Sequence, residues 1–138
     1  MRYVTDIHAL NLNCDLNTTG DWHQSALQWD HPRMAESEDS VLGDWGIVRN
    51  SPVHLPEHGS QRFNVSNHLR ALVDMLAAGR FTLAQGMRKD FIDTSEYDDE
   101  IFAHIKLLRY QPNWAEIDAF MKKEYGRKWI ENDQGNVS

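Results

Sequence analysis

The sequence lacks the residues from which several kinds of protein are built. Its 138 residues include one cysteine, Cys14, so the chain cannot form an internal disulfide. It has no run of about 18 apolar residues, and a membrane-spanning helix is therefore not expected. Its 14 lysines and arginines are outnumbered by 21 acidic residues, which gives a formal net charge of −7. That shortage of positive charge disfavours a surface for duplex nucleic acid, which needs clustered basic residues against the phosphates.

The short motifs of several well-known sites are missing too. There is no His-Glu-x-x-His, Cys-x-x-Cys or His-x-His pattern and no glycine-rich phosphate loop, so no cofactor is expected. Asp6 and His8 interrupt the apolar stretch that a secretory signal needs. We therefore expect a cytoplasmic protein in a reducing compartment. Cys14 is expected to be an inert thiol, because its neighbours Asn13 and Asp15 supply no cation for a thiolate.

The charged residues that are present are unevenly distributed along the chain. Residues 1–68 contain four arginines and nine acidic residues, a net charge of −5. Residues 69–138 contain ten basic and twelve acidic residues, a net charge of −2. Six of the seven histidines also lie in the first segment. The first segment is therefore the place to look for a surface that binds a partner.

The second half has the apolar spacing of four amphipathic helices. The clearest stripe, with the i, i+3, i+4, i+7 spacing of one helix face, consists of Leu69, Leu72, Val73, Leu76 and Ala77. Ser66 is the expected cap at the start of this helix, and Gly79 is expected to end it. Further helices are predicted to begin near Thr82, Ser95 and Asn113. Four such helices with short links predict a small bundle.

The first half predicts shorter and less regular elements. Strands are expected at residues 3–7, 25–29 and 45–49, and an exposed loop at residues 30–40. We therefore predict an α+β fold that is mostly α, with a C-terminal bundle of about four helices and a small N-terminal antiparallel sheet or irregular region. The expected segments of a single domain over residues 1–138 are 1–63 with short strands and irregular structure, 64–132 with helices, and 133–138 as a frayed tail.

Two acid–histidine pairs in the first half are the candidates for a metal site. Asp21 and His23 are followed by Asp30 and His31, which together offer oxygen and nitrogen ligands to a divalent ion. Such spacings are frequent by chance. The alternative is that these side chains hydrogen-bond the backbone in turns.

Three residues are candidates for catalysis. Arg62 and His68 are six residues apart, a spacing similar to the Arg…His motif of ribonucleases among some helical toxin-related domains. In such a site the arginine stabilises charge in the transition state and the histidine transfers a proton. His23 is a further candidate. Arg2 and His8 have the same spacing as Arg62 and His68, so the pattern has little specificity.

Three tryptophans in polar surroundings are candidate anchors for a partner protein. Trp22, Trp29 and Trp45 all lie in the acidic first segment. Tryptophan is enriched among the residues that dominate the energy of protein interfaces. The alternative for each is packing in the core.

Four segments together resemble a family of small bacterial proteins: residues 3–12, 20–23, 84–91 and 112–114. We associate this family with operons that encode nucleotidyltransferase-like toxins of the abortive-infection type. The resemblance covers nearly the whole chain and implies a small partner or antitoxin of such a toxin. It supplies no catalytic residues. The sequence also has no winged-helix or basic DNA-reading module, which places transcriptional autoregulation in doubt.

These observations lead to three hypotheses about function. The first is a non-enzymatic cytoplasmic interaction protein, the antitoxin-like partner of a bacterial toxin, whose acidic surface masks a basic cleft. The second is a small metal-assisted or RNA-directed hydrolase that uses the histidine-rich first half. The third is a small-molecule binding module with a pocket between the short strands and the helices.

Overall fold

The computed structural model describes residues 1–55 and 57–135, of which 133–135 are described by their backbone alone. In chain order the elements are β1 (Arg2–Val4), α1 (Asp6–Leu10), β2 (Met34–Glu36), β3 (Ile47–Leu55), β4 (Gly59–Ser66), α2 (His68–Ala77), α3 (Phe81–Ala84), α4 (Asp98–Ile105), α5 (Trp114–Tyr125) and α6 (Arg127–Gly135). Turns of 3-10 helix lie at Gln24–Ala26, Ser37–Asp39 and Lys106–Leu108, and a π-helical turn lies at Met87–Ile92. None of the helices in these ranges is long and apolar enough to cross a membrane.

A four-stranded mixed sheet has the strand order β2–β1–β4–β3. β1 pairs antiparallel with β2 and parallel with β4, where Val4 lies opposite Val65. β3 and β4 form a long antiparallel hairpin, with Leu55 opposite Gly59 next to the turn. β1 is therefore an inner strand that joins the hairpin to β2.

Helix α2 is enclosed by the rest of the fold and packs against α1, α3, α4 and β4. Its buried side chains are His68, Leu69, Arg70, Ala71, Leu72, Val73, Met75 and Leu76. The side chain of Asn67 caps the helix by accepting a hydrogen bond from the backbone N–H of Arg70 at 2.9 Å. Gly79, with a φ of 76°, follows the end of the helix as predicted. A helix with eight of its ten residues buried must pair its polar groups, and those of α2 form the clusters described below.

A cluster of aromatic side chains joins α4, α5 and α6. Trp129 on α6 is fully buried, and its ring lies edge-on to Phe102 of α4 with centroids 5.4 Å apart. Phe102 also packs edge-on against Tyr125 of α5, at 5.1 Å. The indole N–H of Trp129 donates to the carboxylate of Asp118 on α5 at 2.8 Å. These contacts fix the last helix on the two before it.

The prediction of a C-terminal helical bundle beside a small N-terminal region is wrong. The fold is α+β with a four-stranded mixed sheet, and its central helix packs against that sheet and against α1 from the N-terminal segment. β4 continues to Ser66, across the boundary predicted at residue 64. The apolar spacing of α2 predicts that the helix has a buried face but does not show what covers it. Here strands and an N-terminal helix cover it as well as the later helices.

Several local predictions are corrected too. Residues 25–29 do not form a strand, and a 3-10 turn lies there instead. The segment 30–40, predicted as a loop, contains β2, whose three residues are extended because they pair with β1. Asn67, and not Ser66, caps α2. In the predicted tail, residues 133–135 continue α6, and residues 136–138 lie outside the described residues.

Candidate functional site

A cleft of about 530 Å³ opens between the β1–β2 pair and α2. Polar side chains line it, among them Tyr3, Thr5, Asp6, Arg33 and Asp74. The cleft lies between strands and a helix, which is where the third hypothesis expects a pocket for a small molecule. The state of its two carboxylates decides what chemistry it can perform.

Asp74 is already bound by three donors from the protein. Its carboxylate accepts hydrogen bonds from the Tyr3 hydroxyl at 2.7 Å and the Thr5 hydroxyl at 2.6 Å. It also accepts from Nε of the fully buried Arg70 at 2.9 Å. Burial and the negative charge of Asp74 raise the pKa of Tyr3 far above its ordinary value, so the phenol stays protonated. Asp74 therefore joins β1 to α2, with its carboxylate oxygens occupied by donors of the protein.

Asp6 is held in a similar way at a strained backbone position. Its φ of 63° lies in the left-handed region, which costs a non-glycine residue about 1 kcal/mol. Its Oδ1 accepts a hydrogen bond from the backbone N–H of Ile7 at 2.6 Å. Its Oδ2 lies 2.8 Å from Nε of Arg80 and 3.5 Å from Nε of Arg33. With both carboxylates paired to arginines, the cleft is suited to a rigid structural role more than to acid–base catalysis.

A second cluster of polar side chains surrounds the single cysteine. Sγ of Cys14 lies 3.4 Å from the hydroxyl oxygen of Thr18. That oxygen lies 2.7 Å from Nδ1 of His68, and Nε2 of His68 lies 2.6 Å from the carbonyl oxygen of Leu12. Gly20 lies against the imidazole so closely that a Cβ there would be 2.6 Å from its Cε1. The ring of His68 is therefore fixed between two oxygen atoms.

The electrostatics of this cluster favour a charged sulfur. Burial raises the pKa of the Cys14 thiol, but hydrogen bonding and charge from His68, with the Thr18 hydroxyl, lower it to about 7. Burial lowers the pKa of His68, and its interaction with Cys14 more than offsets this, so the pKa of His68 is raised. The expectation of an inert thiol rested on the neighbours Asn13 and Asp15, whereas His68, which lowers the pKa of the thiol, is 54 positions away in the sequence.

The four predicted metal ligands do not form one group. Asp21 and His23 hydrogen-bond each other through Oδ1 and Nδ1. Asp30 is paired instead with His58, whose Nε2 lies 2.9 Å from its Oδ1. His31 is exposed. Within the part of the chain that the structure describes, no three His, Cys, Asp or Glu side chains are grouped so that they could hold a metal ion.

The three candidate catalytic residues lie in different surroundings. Arg62 is exposed on β4, and its Nη1 donates to the carbonyl oxygen of Asn50 at 3.0 Å. His68 is buried in the cysteine cluster. His23 is exposed beside Asp21. Arg62 and His68 thus have different hydrogen-bond partners, and their spacing in the sequence did not predict those partners.

The three candidate tryptophan anchors also differ in exposure. Trp29 is 5 % exposed and lies edge-on to His8, so it belongs to the core. Trp45 is half-buried and stacks on His104 with ring centroids 3.7 Å apart. Trp22 is 74 % exposed. Of the three, Trp22 is the one whose indole ring is most available to a partner.

Comparison of the chain with protein-family models, with curated proteins and with solved structures finds no significant match. Two features of the structure are candidates for a function: the exposed Trp22 and the cluster of Cys14, Thr18 and His68. Trp22 and His68 are each candidates in the sequence. The link between Cys14 and His68 has no local signal there, because the two residues meet only in the folded chain.

Proposed function

We propose that this chain is a non-enzymatic cytoplasmic protein that binds a basic partner protein through the loop of residues 20–23. The observation that carries the proposal is the exposure of Trp22 on this loop, at 74 %. A large aromatic side chain in solvent contributes little to folding, whereas tryptophans at the centre of interfaces contribute much of the binding energy.

The backbone beneath Trp22 is held on both sides. The N–H of Gly20 donates to the carbonyl oxygen of Phe91 at 2.8 Å, and the N–H of Asp21 donates to that of Leu10 at 2.9 Å. The N–H of His23 donates to the side-chain oxygen of Asn11 at 2.7 Å. Binding through Trp22 would then require little ordering of the loop, which is one of the main costs of association.

Charge indicates the kind of partner. Residues 1–68, which include the loop, carry a net charge of −5. A net negative charge attracts a basic partner, speeds the encounter and disfavours acidic partners. The resemblance of the sequence to toxin-associated proteins supports a nucleotidyltransferase-like toxin, whose nucleotide- or RNA-binding cleft this protein would cover. The cleft beside Asp74 has no part in the proposal.

The test is a binding titration between the purified chain and the toxin-like product of the neighbouring gene. We expect Trp22→Ala to weaken binding by about 30-fold, since truncation of a central tryptophan commonly costs about 2 kcal/mol. Tyr110→Ala is the matched control, because Tyr110 is 84 % exposed but lies in the helical second half. This variant is expected to bind within about threefold of the original chain.

Two results would overturn the proposal. One is an absence of binding, together with no relief of the toxicity of the neighbouring gene product by the original chain. The other is an equal affinity of the Trp22→Ala and Tyr110→Ala variants. Binding that also weakens as salt is raised would support the charge argument, because salt screens attraction between exposed charges.

A further inference from the structure

We propose that Cys14 is a reactive thiol that exchanges with external disulfides, with His68 as its base and the Thr18 hydroxyl as the link between them. The proposal is independent of the protein-binding function above, and its reacting side chains lie outside the loop of residues 20–23. It assigns a modification site whose reactants are disulfides of small thiols or of another protein.

The donor and the acceptor of each hydrogen bond in the cluster can be assigned in turn. The carbonyl oxygen of Leu12, 2.6 Å from Nε2 of His68, can only accept, so Nε2 carries the proton of the neutral ring. Nδ1 is then an acceptor, and the Thr18 hydroxyl at 2.7 Å must donate to it. The Thr18 oxygen is left to accept from the Cys14 thiol at 3.4 Å. The arrangement therefore leads a proton from sulfur through the hydroxyl to the imidazole.

Each participant is placed for this role. His68 is 3 % exposed, and a carbonyl group orients it, as the base of a nucleophile–base pair needs to be oriented. Gly20 closes the space behind the ring. Cys14 is only half-buried, between the exposed Asn13 and Asp15, so an external reactant can reach the sulfur.

The titration of the pair agrees with its geometry. Hydrogen bonding and charge from His68 lower the pKa of Cys14, and the same interaction raises the pKa of His68. With the pKa of Cys14 at about 7, roughly half of the thiol is ionised at neutral pH. The nucleophile in thiol–disulfide exchange is the thiolate.

The reaction balances without any further reactant. The thiol proton moves through Thr18 to Nδ1 of His68, and Sγ of Cys14 attacks one sulfur of the external disulfide. The Sγ–S bond forms as the S–S bond of the reactant breaks, and the departing thiolate takes the proton from His68. The disulfide is the oxidant, and Cys14 is oxidised to a mixed disulfide. Because the chain has one cysteine, no second thiol in it can release the product, and an external thiol must do so.

The experiment follows the reaction of the folded chain with 4,4′-dithiodipyridine between pH 6 and 10, by the absorbance of the released thiopyridone. We expect the rate of the original chain to level off above an inflection near pH 7. In His68→Gln the inflection should move toward the ordinary thiol value of 9.0. At pH 7 this lowers the thiolate fraction about 50-fold, while intrinsic nucleophilicity rises about six- to tenfold with the pKa. The variant should therefore react about five- to eightfold more slowly at pH 7 and several-fold faster at pH 10.

This crossing of the two pH–rate curves distinguishes activation from simple shielding. If His68 only packs against the thiol, its loss exposes Cys14, and the variant reacts faster at every pH, which would overturn the proposal. An inflection of the original chain near pH 9 would overturn it too. If His68→Gln does not fold, Thr18→Val decides, since it breaks the link and should move the inflection upward, whereas Thr18→Ser should restore it. His31→Gln, which alters an exposed histidine elsewhere, is the control with an unchanged inflection.

Discussion

At the scale of single residues, the buried Arg70 connects helix α2 to β1 and to the turn at residues 43–45. Its guanidinium donates to the carbonyl oxygens of Gly43 at 2.8 Å and Trp45 at 2.6 Å. It also donates to the hydroxyl of Tyr3 at 3.0 Å and pairs with Asp74 on its own helix. A planar group with five donors can hold several acceptors at once, which lysine cannot do. One buried charge thus fixes β1 and the 43–45 turn on α2.

We predict that Arg70→Met destabilises the protein by about 3–5 kcal/mol. The substitution keeps much of the volume of the side chain but leaves Asp74 without its cation and two carbonyl oxygens without donors. Urea unfolding at neutral pH measures the effect. Arg49→Met is the control, because Arg49 forms an ion pair with Asp44 on the surface and its loss should cost less than about 1 kcal/mol. Equal effects of the two substitutions would contradict the role given to Arg70.

At the scale of elements, local patterns were informative where an element depends on its own sequence. Helix α5 begins at Trp114 after Asn113, close to the predicted start, and Ile117, Met121 and Tyr125, which recur at the spacing of one helix face, are buried. β2 had no such signal. Its three residues are extended because β1 lies beside them, and residues distant in sequence supply that pairing. The candidate site follows the same rule, because Trp22 is visible in the sequence but the pairing of Cys14 with His68 exists only after folding.

We predict that Trp129 attaches the last helix to the fold. Trp129→Ala removes a fully buried ring from between α4 and α5 and should cost about 3–5 kcal/mol. Hydrogen exchange should show the amides of α6 losing protection before those of α2 and β4. Ile130→Ala, at a more exposed position of the same helix, should leave the protection pattern unchanged. Uniform loss of protection over all elements in Trp129→Ala would show that α6 does not open separately.

At the scale of the whole molecule, charge limits stability on the acid side. Asp44 and Asp118 have pKa values below their ordinary value. For Asp118, burial raises the pKa, but hydrogen bonds from Trp129 and Lys122 lower it by more. For Asp44, hydrogen bonds from Ser37 and Arg49 lower the pKa. A depressed pKa in the folded chain means that unfolding takes up protons at low pH. These carboxylates therefore stabilise the fold above about pH 4, and this stabilisation is lost as the pH falls.

We predict that Asp118→Asn is less stable than the original chain at pH 7 and that the difference narrows as the pH falls below the ordinary Asp pKa of 3.8. At pH 7 the variant lacks the charged partner of Lys122, whereas at low pH the original side chain loses its charge as well. Urea unfolding across this range gives the comparison. A stability difference that stays constant with pH would show that the carboxylate acts through its shape and not through its charge.

The parallel pairing of β1 with β4 has a consequence for the order of events during synthesis. Val4 leaves the ribosome 61 residues ahead of Val65, the residue it must lie against. The β3–β4 hairpin is a local structure and can form as soon as its second strand emerges, whereas β1 must close a long loop to join it. Until then its apolar residues Tyr3 and Val4 remain uncovered in the nascent chain. A chaperone that binds apolar segments during translation would therefore find a target in β1 until β4 has been synthesised.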